Sequence, residues 1–328
     1  MLELWELILY KGIRMKLSES NILKQTTFKI FTLAVLMSLI ACTSEKFKEP
    51  QKLGNRWISA KTLNVGHDTY MNYCMQCHGV EGDGMGPAAQ GSNHPPRNFK
   101  QGLYKFANVD AGELPTDEDL KRTIRHGLRG TPMLPWDLSP ERLDAVVQYI
   151  KTFSDAWKDG EPGAALAISD DPFGETRKQE AIALGEKVYH GIAQCYSCHP
   201  SYLSLEEINK VSQELTGNSV TSTRENPHLA TLLDSSYNYK IMPPDFTKNW
   251  IKSGYEPIDI YTVLNAGLNG SAMAAWKGLL STTGSPEESE RNQWALSYYV
   301  ASLQKLKLDD AARKAFFQDL NAKRSLAR

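Results

Sequence analysis

The 328-residue sequence has little cysteine, only 5 residues, too few for a disulfide-dense scaffold. It has no apolar run long enough to span a bilayer as a helix; the stretch Ile30–Ala41 is too short. Neither sign of charge is in excess. Lys and Arg total 37 against 38 Asp and Glu, a net of -1, which gives no general attraction to nucleic acid or to an anionic membrane. GxSxG, HExxH and GxGxxG are all missing, which removes the common signatures of serine hydrolases, zinc peptidases and dinucleotide enzymes. Convincing runs of alternating strand residues are missing too, so a β-rich architecture is not expected. What remains is ordinary for a globular protein, with 41% hydrophobic and 23% charged residues, and the length is a soft prior for two domains.

The scarce cysteines are concentrated. Four of the 5 lie in two copies of one pattern, CMQCH at 74–78 and CYSCH at 195–199. The repetition extends beyond the motif. Upstream, GHDTY (Gly66 to Tyr70) matches GEKVY (Gly185 to Tyr189). Downstream, GLRGTPMLPW (127–136) matches GLNGSAMAAW (267–276), so Met133 and Trp136 fall on Met273 and Trp276. A helix is predicted after each: Val146, Tyr149, Ile150 and Phe153 match Leu296, Tyr299, Val300 and Leu303, an i, i+3, i+4, i+7 stripe in both. PPRNF (95–99) and PPDFT (243–247) form a further shared element. The Gly-, Pro- and Asp-rich stretch 158–175 reads as a linker, and 204–229 as an insertion peculiar to the second copy.

In CxxCH two thiols lie on adjacent faces of one turn and an imidazole follows. That spacing lets both sulfurs bond the vinyl groups of one haem and puts the histidine on its iron. A zinc site also uses CxxC, but these motifs lie more than a hundred residues apart and each is followed by histidine. A thiol redox pair expects a thioredoxin-like βαβ pattern, and none is present.

Taken together, the chain resembles the class I cytochrome c family, present twice in tandem, over about 61–156 and 178–306. The resemblance implies an all-α protein of two small helical domains, each folded around one covalently bound haem c. It implies attachment through Cys74, Cys77, Cys195 and Cys198, with His78 and His199 on the irons. It implies Met133 and Met273 as the opposite axial ligands, although methionine also fills core gaps and Met242 competes with Met273. In this family a loop proline carbonyl orients the ligand histidine. Pro87 fits that role for His78, while for His199 the choice stays open between Pro227 and Pro243. Gly66 with Tyr149, and Gly185 with Tyr299, resemble the family's crossing of first and last helices. His126 is expected to face solvent or pack, and His67, His94, His190 and His228 to lie on the surface or in loops.

The N-terminus reads as an export signal. Lys16, Lys24 and Lys29 precede the apolar run, which ends in Leu39-Ile40-Ala41-Cys42, resembling a bacterial lipobox with Cys42 as the lipidated residue. Thr43 rather than aspartate favours outer-membrane sorting, and translation is expected to start at Met15. The expected organisation is an extension and signal at 1–41, a tether at 42–60, domains at 61–156 and 178–306 around a linker at 157–177, and a tail at 307–328. With both irons six-coordinate, no position is open to substrate. The expectation is therefore an electron carrier and not an enzyme. It is anchored by lipid on the periplasmic side of a bacterial membrane and serves respiratory redox proteins, either alone or as the haem subunit of a larger oxidoreductase. A dihaem cytochrome c peroxidase is the alternative.

Overall fold

Helix α1 (Ala60–Tyr73) begins at Ser59, whose side chain accepts from the Thr62 amide, and buries Leu63, Gly66, Thr69 and Tyr70 on one face. Helix α2 (Met75–His78) is the single turn that carries the first CxxCH. Helix α3 (Asp117–His126) starts with a reciprocal capping box between Thr116 and Asp119. Helix α4 (Pro140–Lys151) has Ser139 as its cap and Pro140 in its first turn. These features belong to the computed structural model of the chain, which describes residues 45–326. Cys42, the signal-like run and Met15 lie outside the described residues.

The same order returns further along. Helix α5 (Ala156–Asp159) is one turn that closes the first half. Helix α6 (Lys178–Lys187) runs into a widened π turn at Val188–Ile192, and the second CxxCH follows. Helix α7 (Leu205–Thr216) lies in the insertion, capped by a box between Ser204 and Glu207. Helix α8 (Pro257–Ala266) precedes the second methionine segment, and α9 (Pro286–Leu308) is the long final helix of this half. Helix α10 (Asp310–Leu326) returns over the second half, with Phe316 packed on its core and Leu320 buried.

Two close helix crossings organise these elements. A Cβ placed on Gly66 of α1 would lie 2.7 Å from the Tyr149 Cβ of α4 and would also strike the Ala145 carbonyl. A Cβ on Gly185 of α6 would lie 2.6 Å from the Tyr299 Cβ of α9 and strike the Ala295 carbonyl. Glycine is what lets both pairs approach this closely, and a tyrosine ring fills the space beside each crossing. Each crossing sits in its own apolar core. One contains Leu63, Tyr70, Val146 and Trp157; the other contains Tyr189, Leu264, Leu296 and Val300.

Three segments differ from the sequence reading. The stretch 42–60 is expected as a tether, yet from Phe47 onward it packs as part of the fold. Strands β1 (Gln51–Leu53) and β2 (Arg56–Ile58) pair antiparallel around a Gly54-Asn55 turn, both turn residues having positive φ. The strands are too short for an alternating pattern to be seen, but Leu53 and Ile58 are buried, and the Gly54 amide donates to the Trp157 carbonyl at 2.7 Å.

The second is the linker, which is strapped down. The Leu166 amide donates to the Asn108 carbonyl at 2.9 Å, the Asn265 side chain to the Ala167 carbonyl at 3.1 Å, and the Trp294 indole to the Ser169 carbonyl at 3.2 Å. The described residues from 47 to 326 accordingly belong to one compact unit. The third is His190, expected at the surface or in a loop but fully buried in the π turn. Among the described residues no helix is long and apolar enough to cross a membrane.

Candidate haem-binding sites

Tyr70 starts the first site. Its hydroxyl donates at 2.6 Å to the carbonyl of Gly79, the residue after His78, and so ties the helix that enters the motif to the chain that leaves it. The His78 amide donates to the Cys74 carbonyl at 3.0 Å, which keeps both thiols and the imidazole on one compact turn. The His78 Nδ1 lies 3.1 Å from the Arg97 carbonyl. A carbonyl only accepts, so Nδ1 carries the proton and Nε2 keeps a free lone pair, the state required of a metal ligand. Phe99 stacks on the imidazole with centroids 4.6 Å apart and planes 17° apart.

The second site repeats this geometry. Tyr189 donates at 2.8 Å to the carbonyl of Pro200, again the residue after the histidine. His199 Nδ1 lies 3.0 Å from the Pro244 carbonyl, and Phe246 stacks on its ring at 4.6 Å and 21°. Burial depresses the basicity of both imidazoles, His199 to about 4, so both are held neutral. The thiols of Cys74 and Cys195 are pushed up to about 12, first by burial and then in part by their motif partners Cys77 and Cys198, and none of the four cysteines is in a disulfide.

The methionine segments match bond for bond. Leu128 donates to the Met133 carbonyl at 2.8 Å and Leu268 to the Met273 carbonyl at 2.9 Å. Thr131 and Ser271 each donate a hydroxyl to the leucine carbonyl and accept from the methionine amide. Trp136 donates to the Ile124 carbonyl and Trp276 to that of Leu264, which docks each segment on α3 or α8. Gly127 and Gly267 have φ of 63° and 72°, and a side chain at either would run into the methionine segment.

In the second half a cavity of about 590 Å³ brings these pieces together. Cys195, Cys198, His199 and Met273 all line it, and Phe246, Trp276, Leu296 and Val300 supply apolar walls. Met242 also reaches it but is 65% exposed, whereas Met273 is half-buried and packs on the core. Two thiols, a neutral imidazole and a thioether around one large apolar space fit a covalently attached haem. Among the described residues no three His, Cys, Asp or Glu side chains converge as they would on zinc.

The structure also relocates some expected residues. Pro87 opens a short turn, Pro87–Ala89, and does not supply the carbonyl at His78; Arg97 does. Neither Pro227 nor Pro243 serves His199; the acceptor is Pro244. The repeated PPRNF and PPDFT segments carry this signal, since the acceptor stands two residues before the stacked phenylalanine in both. His126 is exposed, as expected.

Arg224 of the insertion is a positioning residue that the sequence did not flag. Its guanidinium donates to the Tyr196 carbonyl at 2.8 Å and to the His199 carbonyl at 3.0 Å, and so clamps the second motif from outside. The Pro200 departure gives it a role. Gly79 turns with φ of 79°, whereas proline is fixed at negative φ, so the chain after His199 takes another course and the insertion braces it.

The family model described as cytochrome C oxidase, cbb3-type, subunit III matches residues 61–150. No curated protein sequence matches the chain. Among solved structures, a chain of the Kuenenia stuttgartiensis reducing HAO-like protein complex is 32% identical, with a TM-score of 0.56, over 73% of this chain and 95% of that one. The shared family and the haem-shaped chemistry of the CxxCH sites lead to one statement: the chain belongs to the c-type cytochromes, helical proteins that bind haem c covalently and transfer electrons.

Proposed function

We propose that this is a tandem dihaem cytochrome c that relays single electrons between redox proteins and transforms no substrate itself. The observation that carries the reading is the twofold recurrence of one bonding pattern. His78 and His199 have the same carbonyl-and-phenyl hold, and Met133 and Met273 lie in the same hydrogen-bonded segment. Cys74 and Cys77 attach one haem and Cys195 and Cys198 the other, at domains 61–156 and 178–306. The haem supplies the one-electron iron couple. The Arg97 and Pro244 carbonyls fix the ligand tautomers, the methionine sulfurs favour the reduced state, and the apolar walls exclude water.

In this reading Cys42 is the lipid attachment point and the protein works on the periplasmic side of a bacterial membrane. The similar solved chain comes from a complex of two proteins, which supports a partner-bound role as the haem subunit of an oxidoreductase.

The test is a pyridine haemochrome count, with Met133→Ala and Met273→Ala followed by the near-infrared iron–methionine band. Two haems are expected, and each substitution should remove about half of the band. If Met242→Ala removes the second half instead of Met273→Ala, the ligand assignment fails. Rapid carbon monoxide binding to the ferrous wild-type protein would favour a peroxidase-like enzyme over a carrier.

A further inference from the structure

The cavity that holds His199 and Met273 is not lined by the second half alone. Lys105 and Arg129, from the first half, border it together with Lys252 from the second, and no Asp or Glu lies among its lining residues. Arg97 sits beside this group, its guanidinium 3.8 Å above the Tyr237 ring, and Lys105 approaches the same ring at 5.9 Å. Arg129 rests over Tyr255 at 4.2 Å, and its amide donates to the Lys252 carbonyl at 3.0 Å. These contacts pin cations from both halves along one seam.

None of Arg97, Lys105, Arg129 and Lys252 forms an ion pair with a carboxylate among the described residues. Burial and the neighbouring Lys252 and Arg97 push Lys105 down to about 8, and burial together with Arg97 lowers Lys252 as well. The Ser253 hydroxyl, also on the cavity wall, is buried without a hydrogen-bond partner. Lys105 and Lys252 are partly desolvated like charges without a counter-ion, which is costly, and a fold that gathers them beside Arg97 and Arg129 is built for an anion. The edge of a haem remote from its thioether bonds carries two carboxylates.

We propose that the seam of Arg97, Lys105, Arg129 and Lys252 receives the carboxylates of the haem held by the second half, so that first-half side chains complete that site and set its reduction potential. The inference rests on the two-haem reading above. Cations beside the carboxylates favour the less positive ferrous iron, so the first half raises the potential of the second haem.

The test uses the full-length holoprotein and its Lys105→Gln, Arg129→Gln and Lys105→Arg variants. Spectroelectrochemical titration reads both haems, and Met273→Ala identifies the second. The Gln variants should each retain two haems by haemochrome count. Each should lower the reduction equilibrium of the second haem by about tenfold, or about 59 mV for one electron, with a much smaller change at the first. Lys105→Arg should restore it, and the resonance Raman bending band of the haem carboxylates should move with the potential. Should Lys105→Gln fail to fold, the more exposed Arg129 carries the same readout.

Two haems with an unchanged second potential and carboxylate band would overturn the inference while leaving the two-haem reading intact. A saturable shift of the wild-type potential with inorganic phosphate would also overturn it, in favour of a free anion. So would a potential that changes only when a partner protein is added, since the seam would then be a docking surface. A haem count of one would overturn the reading beneath it.

Discussion

Each CxxCH imidazole is gripped on two sides, at Nδ1 by a carbonyl and across its face by a phenyl ring, and a third buried histidine is held as tightly, with both of its ring nitrogens engaged. His190 Nδ1 donates to the Glu186 carbonyl at 2.9 Å, and Nε2 accepts from the Tyr202 amide at 3.2 Å. This uses the neutral ring fully, and a second proton would set an N–H against an N–H. Burial takes its pKa from 6.5 to about 4, against the opposing influence of the Glu186 carbonyl and of Glu207. The unfolded chain therefore binds the proton first as pH falls. Stability contributed by neutral His190 is fully present above pH 6.5 and is lost down to about pH 4. The loss should reach about 2 kcal/mol at pH 5. Guanidinium unfolding of wild type and His190→Gln at pH 7 and pH 5 checks this: the variant should be weaker at both but lack the extra pH slope. Equal slopes would refute it. The CxxCH motifs were legible in the sequence because haem attachment requires that spacing. His190 was not, because its partner Tyr202 belongs to the region after the motif where the repeat breaks down.

Among the elements, the helix crossings were the most legible, because a glycine paired with a tyrosine recurs in both halves. Gly185→Ala tests how tight they are. The new methyl would meet the Ala295 carbonyl and the Tyr299 Cβ, both parts of α9 that cannot move independently. The helices must separate, at a cost of about 1–3 kcal/mol that outweighs alanine's better helix propensity of about 1 kcal/mol. Denaturant midpoints at constant m-value measure it, and a stabilised variant would show that the helices are farther apart than described. The β1–β2 hairpin and the carbonyl acceptors were less legible. Three-residue strands leave no period to detect, and which carbonyl faces an imidazole depends on the path of a loop. The repeated PPRNF and PPDFT segments indicated the region but not the atom.

Across the whole molecule, the halves hold separate cores yet share a strap and a seam. Composition marks 158–175 as a linker, since it is rich in Gly, Pro and Asp. Composition does not report partners, and here the partners come from both halves: Asn108 and Leu114 from the first, and Asn265, Trp294 and Tyr298 from the second. The cationic seam was equally hidden, because its residues lie far apart in sequence. The segment after α7 is the opposite case. From Gly217 to Ser222 the chain is mostly exposed, and beyond the helix-ending bond of the Gly217 amide to the Gln213 carbonyl its backbone is held by little more than Asn218 to the Thr216 hydroxyl and Val220 to the Asn209 side chain. Proteolysis requires a stretch of backbone to leave its hydrogen bonds, so local stability and not composition decides where a nonspecific protease cuts first. Brief proteinase K treatment of the holoprotein should therefore cleave within 217–222 before it cleaves within 158–175. Mass spectrometry of the first fragments distinguishes the two. Removing the Trp294 anchor with Trp294→Phe, which deletes the indole donor to Ser169, should raise cleavage in the strap selectively. Early cleavage of the wild-type strap would mean that the halves are joined by a loose tether and that the seam opens in solution.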